Sequence, residues 1–186
     1  NAAASHFYPR SRDEMRRKLG LPADRPIIAF VGHFNDNKGP RRVLEAIESR
    51  PEIGAIFLGQ GDAQPGGPQV LFSGLVPHDD VPDWLSAADL FVQPVYIEAA
   101  SNSMKEALAC GLPIVASDIP TIREFLDSSV ATLVDPEEIP QIRNAIEHLI
   151  DNPDRRRAMG AAALERAKGF RSRDRAAKIL QWLDEI

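Results

Sequence analysis

Residues 90–116 read LFVQPVYIEAASNSMKEALACGLPIVA. The apolar run Leu90-Phe91-Val92 stops before Pro94, and a second run, Ile114-Val115-Ala116, starts after Pro113. Between them, Asn102 to Cys110 sets Met104 and Leu108 four apart on one helical face, and Gly111 follows as a stop. Strand, helix and strand in so short a span predict a crossover unit of a parallel sheet.

The pattern repeats on both sides. Ile27-Ile28-Ala29-Phe30-Val31 ends at Gly32, Ala55-Ile56-Phe57-Leu58 at Gly59, and Val70-Leu71-Phe72 near Gly74, while Ala131-Thr132-Leu133-Val134 precedes Asp135-Pro136. Such short uninterrupted runs are expected of strands buried on both faces. Amphipathic helices are expected over Arg41 to Ser49, Val81 to Ala88, Ile139 to Ile150, Pro153 to Ala167, and from about Arg173 to the end. Asp80 is the expected N-cap of the second of these, with Asp83 three residues on. The Gly/Pro-rich stretch Gly61 to Pro68 is a surface turn. The expected fold is α/β: one doubly wound, Rossmann-like parallel sheet of about six strands with helices on both faces.

Composition agrees with one compact domain. The chain has 186 residues, 44% of them hydrophobic, within the ~100–200 residues of a typical domain. No run is long enough for a membrane span, and Asn1 to Arg10 has no charged region followed by an apolar one, so no secretory signal is expected. A single cysteine, Cys110, excludes an internal disulfide and any multi-cysteine metal site. The balance suits a cytoplasmic protein. A net charge of −5 argues against generic nucleic-acid binding, which rests on Lys and Arg neutralising phosphates. Arg155 to Arg157 and Arg171 to Arg175 lie beside Asp154, Glu165 and Asp174, as on a solvated face.

In an open parallel sheet, ligands bind beyond the carboxyl ends of the strands. Gly59-Gln60-Gly61 resembles half a dinucleotide fingerprint, but the third glycine would fall at Gln64. Gly32 to Gly39 lacks the Gly-Lys-Ser/Thr order of a P-loop. Lys38 follows the first strand, with Gly39-Pro40 opening a helix. It reads either as a phosphate contact or as an exposed turn lysine. The segment Glu98 to Glu106 is richer. Small residues from Ala99 to Ser103 allow close approach to a helix N-terminus, and carboxylates flank it. A sugar or ribose would match those carboxylates through its hydroxyls. The alternative is local: Ser103-x-x-Glu106 is itself a capping box, and Glu98 an exposed loop acid.

Five motifs occur in order: Lys38-Gly39 after Phe30-Val31-Gly32; Phe57-Leu58-Gly59-Gln60-Gly61; Phe72-Ser73-Gly74-Leu75-Val76; Ala88 to Pro94; and Glu98, seven residues, Glu106, running on through Ala107 to Ala116. The set resembles the C-terminal, donor-binding domain of family 4 (group 1) glycosyltransferases of the GT-B fold, over nearly the whole chain. Asn1 and Phe7-Tyr8-Pro9 stand where that family's interdomain connector would be. The resemblance implies that residues 1–186 form the donor-binding half of a retaining enzyme, with the N-terminal acceptor domain outside the chain. It implies a nucleotide-sugar donor, no metal or other cofactor, and peripheral membrane contact, if any, through the absent half. Glu106 would hold the ribose, and Glu98, the catalytic candidate, the transferred sugar. Lys38 and the backbone of Ala100, Ser101, Asn102 and Ser103 would hold the diphosphate, with Gly32 and His33 beside it. Leu75 and Val76 would lie against the base.

Three positions depart from the family. His33 stands where an arginine is frequent, which predicts weaker or pH-dependent donor binding. Ala99 to Ser103 replace a Gly-Phe-Gly-like run, and Pro120-Thr121 a Gly-Gly pair, which puts contacts near Glu124 in doubt. The remaining polar candidates read as structural. Asp79-Asp80 cap a helix, Cys110 is a packed thiol, and His78 and His148 are surface residues without a partner. Two further function classes stay open: a sugar-nucleotide epimerase of the same architecture, and a non-catalytic nucleotide-binding module.

Overall fold

The computed structural model describes residues 6–99 and 101–170. Among these residues, six strands form one parallel sheet: β1 (Ile27–Val31), β2 (Gly54–Leu58), β3 (Val70–Gly74), β4 (Leu90–Gln93), β5 (Ile114–Ser117) and β6 (Ala131–Val134). Their order is β3-β2-β1-β4-β5-β6, every neighbouring pair parallel. The helices are α1 (Arg12–Leu19), α2 (Pro40–Ile47), α3 (Val81–Ala87), α4 (Asn102–Ala109), α5 (Pro120–Arg123), α6 (Ile139–Asp151) and α7 (Pro153–Lys168), with a 3-10 turn over His78–Asp80. The helix expected from Arg173 lies outside the described residues.

The period-2 alternation of strand side chains divides the core into two layers. Ile27, Ala29, Ile56, Leu58, Phe91, Ile114 and Ala116 pack on one face with Leu85, Met104, Leu108 and Ala163 from α3, α4 and α7. Ile28, Phe30, Ala55, Phe57, Leu90, Val92 and Val115 pack on the other with Val43, Ile47, Ile142 and Ile146 from α2 and α6. Central strands buried on both faces are what the unbroken apolar runs encode. The expectation of two-sided burial fails at β3, which is half-buried throughout because it is an edge strand.

Helix α1 was not expected from the sequence. Its RDEMRRKL run holds few apolar residues, and its deepest side chain is a cation, Arg16, only 2% exposed. Arg16 donates to the carbonyls of Ala87 at 2.9 Å, Ala23 at 2.8 Å and Arg25 at 3.1 Å, and to Asp89 Oδ2 at 2.7 Å. The same carboxylate oxygen accepts the N–H of Ile27 at 2.8 Å. One ion pair thus fastens α1, the start of β1 and the start of β4 together. Helix α3 also differs from expectation. Neither Asp80 nor Asp79 caps it through its side chain, and Asp83 is buried in ion pairs with Arg10 and Lys18.

Removing one member of a buried ion pair strands its partner's charge in the interior, which costs about 3–5 kcal/mol. Asp89→Ala is therefore expected to lose stability on that scale in urea unfolding, whereas the exposed Asp154→Ala changes it by less than about 0.5 kcal/mol.

Candidate functional site

The strand order reverses between β1 and β4, and the helices that follow them, α2 and α4, pack on opposite faces of the sheet, so the carboxyl ends of these strands form the crevice position at which such a sheet takes ligands. The structure builds that crevice around Gln93, the last residue of β4, which is 1% exposed. Its amide Nε2 donates to the carbonyl of Val31, the last residue of β1, at 2.6 Å. Its Oε1 accepts the hydroxyls of Ser101 at 3.2 Å and Ser103 at 3.1 Å. Gln93 went unnoticed in the sequence, where it sits inside an apolar run.

Ser101, not Ser103, caps α4: its Oγ accepts the N–H of Met104 at 3.3 Å. The capping box of Ser103 and Glu106 therefore does not form. The Lys105 N–H reaches the Ser101 carbonyl at 3.4 Å. Among the described residues, the N–H groups of Asn102 and Ser103 have no such partner, so they remain available to an anion.

The two loops are stitched together by Asn37. Its side chain donates to the Ile97 carbonyl at 3.1 Å and accepts the Ile97 N–H at 2.9 Å, and its carbonyl accepts the Tyr96 N–H at 3.0 Å. Buried Arg42 adds a hydrogen bond to the Pro94 carbonyl at 2.7 Å and stacks on the Tyr96 ring at 3.9 Å. These contacts bring two expected site residues together: Lys38 Nζ donates to Glu98 Oε2 at 2.6 Å. Lys38 is 23% and Glu98 12% exposed in the side chain, so Lys38 is not simply a free turn lysine. Glu98 is further held by Thr121, whose hydroxyl donates to its carbonyl at 2.6 Å. Thr121 stands where the family pattern has glycine, and here it anchors the loop.

Glu106 lies one turn along α4 from Asn102, largely buried, and its Oε1 meets Nε2 of His78 at 3.1 Å. Burial pushes the Glu106 carboxyl above its ordinary range, and the His78 contact opposes that rise. This corrects the expectation for His78, which is exposed but has a partner. Beyond it, Leu75 is exposed and Val76 packs partly on the core. Gly32 follows β1 beside Gln93, His33 and Asn102 are exposed, and Ala100 lies outside the described residues. The glycines of Gly59-Gln60-Gly61 have a packing role instead. A Cβ at Gly59 would stand 1.9 Å from the Gly32 carbonyl oxygen, and one at Gly61 2.4 Å from that of Phe34.

A groove of about 490 Å³ opens at the opposite pole, beside Arg10, Arg12, Asp89, Cys110 and Arg156. Its cations are engaged: Arg10 with Asp83, Arg12 with Asp89, and Arg156 with the carbonyls of Leu149 and Ile150 that end α6. Arg157 pairs with Asp154, and Arg171 to Arg175 lie outside the described residues. Cys110 is buried, and burial pushes its thiol up to about 12. Among the described residues, no helix is long and apolar enough to cross a membrane.

Comparisons with known proteins bear on the family and the fold. A family model described as "Glycosyl transferases group 1" matches residues 11–166. The D-inositol 3-phosphate glycosyltransferase of Thermobispora bispora is 31% identical over 199 residues, covering 94% of this chain and 46% of the relative. The structure of sucrose-phosphate synthase from Thermosynechococcus elongatus superposes with a TM-score of 0.87 at 27% identity, covering 98% of this chain and 50% of that one. Anabaena Alr3699/HepE, solved in complex with UDP-glucose, shares the fold with a TM-score of 0.83 at 20% identity, covering 98% of this chain and 55% of that one. The chain thus spans about half the length of these relatives.

Gln93→Leu keeps the volume but leaves the Val31 carbonyl and two serine hydroxyls without their partner. The expected loss is about 1–3 kcal/mol in urea unfolding, together with faster hydrogen exchange at the Met104 N–H.

Proposed function

Because the chain belongs to the group 1 glycosyl transferases, we propose that it is the donor-binding half of a retaining, metal-independent glycosyltransferase that takes a nucleoside diphosphate sugar. The carrying observation is the meeting of Lys38 and Glu98 at the switch point, beside the free N–H groups of α4. An ammonium and a helix N-terminus complement a diphosphate, while a carboxylate complements sugar hydroxyls.

The diphosphate lies over Asn102 and Ser103, and Lys38 turns from Glu98 to a phosphate oxygen. Glu98, released, accepts hydroxyls of the transferred sugar. Glu106 accepts the ribose hydroxyls, and Leu75 and Val76 line the base. In transfer, the bond from the anomeric carbon to the diphosphate oxygen breaks. A bond to an acceptor hydroxyl oxygen forms on the same face, and the hydroxyl proton is released. Charge accumulates on the leaving diphosphate, where Lys38 and the α4 amides stabilise it with preorganised donors. The domain carries no assigned nucleophile, and catalysis requires the acceptor half, which lies outside these residues. The isolated chain binds donor without transferring it, and the reaction takes place in the cytoplasm.

The test is calorimetry with UDP-, GDP- and ADP-glucose. Glu106→Ala is expected to weaken the best ligand by about tenfold or more, the scale of a charge-assisted hydrogen bond. Lys38→Ala is expected to weaken the nucleotide sugar similarly and the bare nucleoside hardly at all. Parent-like binding by both variants overturns the reading.

A further inference from the structure

We infer that His78 is the positioning residue for Glu106, holding one carboxylate oxygen so that the other faces the nucleotide ribose. The inference rests on the reading of Glu106 as the ribose acceptor and adds a residue to it. His78 reaches Glu106 from a separate element, 28 residues away in the chain. Nε2 bonds Oε1 at 3.1 Å, so that oxygen is taken and the orientation of the carboxylate follows. The ring is itself fixed: Phe7, 5% exposed, meets it edge-on with centroids 5.2 Å apart. Phe7 therefore packs against His78, and His78 in turn holds Glu106.

An ionised carboxylate is the stronger acceptor of ribose hydroxyls, since protonation turns one of its oxygens into a donor and removes the charge. Burial works against ionisation of Glu106, and the imidazole N–H works for it. The titratable groups set against Glu106 are the imidazole of His78 and the buried Cys110 thiol at the end of α4. Asp79 and Asp80 are the chain neighbours of His78 on its own turn, and Phe7 brings no charge. Loss of the imidazole leaves burial unopposed, so Glu106 takes up its proton at a higher pH.

The experiment titrates the full chain, at a series of pH values, with whichever of UDP-, GDP- and ADP-glucose binds best; a sugar-linked diphosphate does not itself titrate in the working range. His78→Phe keeps the aromatic contact and removes the hydrogen bond. It is expected to bind about three- to tenfold more weakly, with the acid-side loss of affinity moved to higher pH. His78→Gln retains an N–H donor and is expected to fall between it and the parent. Glu106→Ala is expected to lose both affinity and the acid-side limb. If both His78 variants keep the parent's affinity and pH profile while Glu106→Ala loses binding, the role of His78 is overturned and the ribose site stands. If Glu106→Ala binds like the parent, or the parent binds none of UDP-, GDP- and ADP-glucose, the ribose assignment fails and this inference with it. The ring is more than half exposed, so its variants are expected to keep the parent's circular dichroism.

Discussion

The crevice depends on where one buried amide finds its hydrogen bonds. Gln93 ends a strand that is apolar on both sides, and its side chain has to be satisfied inside the protein. It does so by joining the last carbonyl of β1 to the two hydroxyls at the start of α4. That arrangement fixes the gap between the first and fourth strands and aims the α4 amino end across it. Loops alone would leave both to chance. Asn37 then ties the facing loops with backbone-like bonds, so Lys38 and Glu98 meet although they are 60 residues apart in sequence.

Much of the fold is legible in the sequence because central parallel strands are encoded locally. Ile27 to Val31 and Ala55 to Leu58, for example, are short apolar runs closed by glycine. Strand order is not local, so the edge position of β3 had no signal. Helix α1 was hidden for a different reason: what it buries is a guanidinium, and hydrophobic periodicity does not register an arginine whose donors are all matched.

The site divides along the same line. Lys38 and Glu98 were expected at the site because they follow strands, where an open sheet collects ligands, and Glu106 because it lies one turn into the next helix. His78, Gln93 and Thr121 were missed because each matters through a partner that only the fold supplies. Gly59 and Gly61 had a visible spacing whose meaning was misleading. They let the β2 backbone run against the carbonyls of Gly32 and Phe34, which is a packing requirement and not a ligand contact.

The Lys38–Glu98 contact also pairs two opposite charges within the protein. Without a ligand the crevice is electrically self-compensated, so a small anion gains little there: taking the ammonium strands the glutamate, which then repels it. On the reading proposed above, an occupant has to separate two opposite charges and satisfy each of them, and the ion pair sets that requirement.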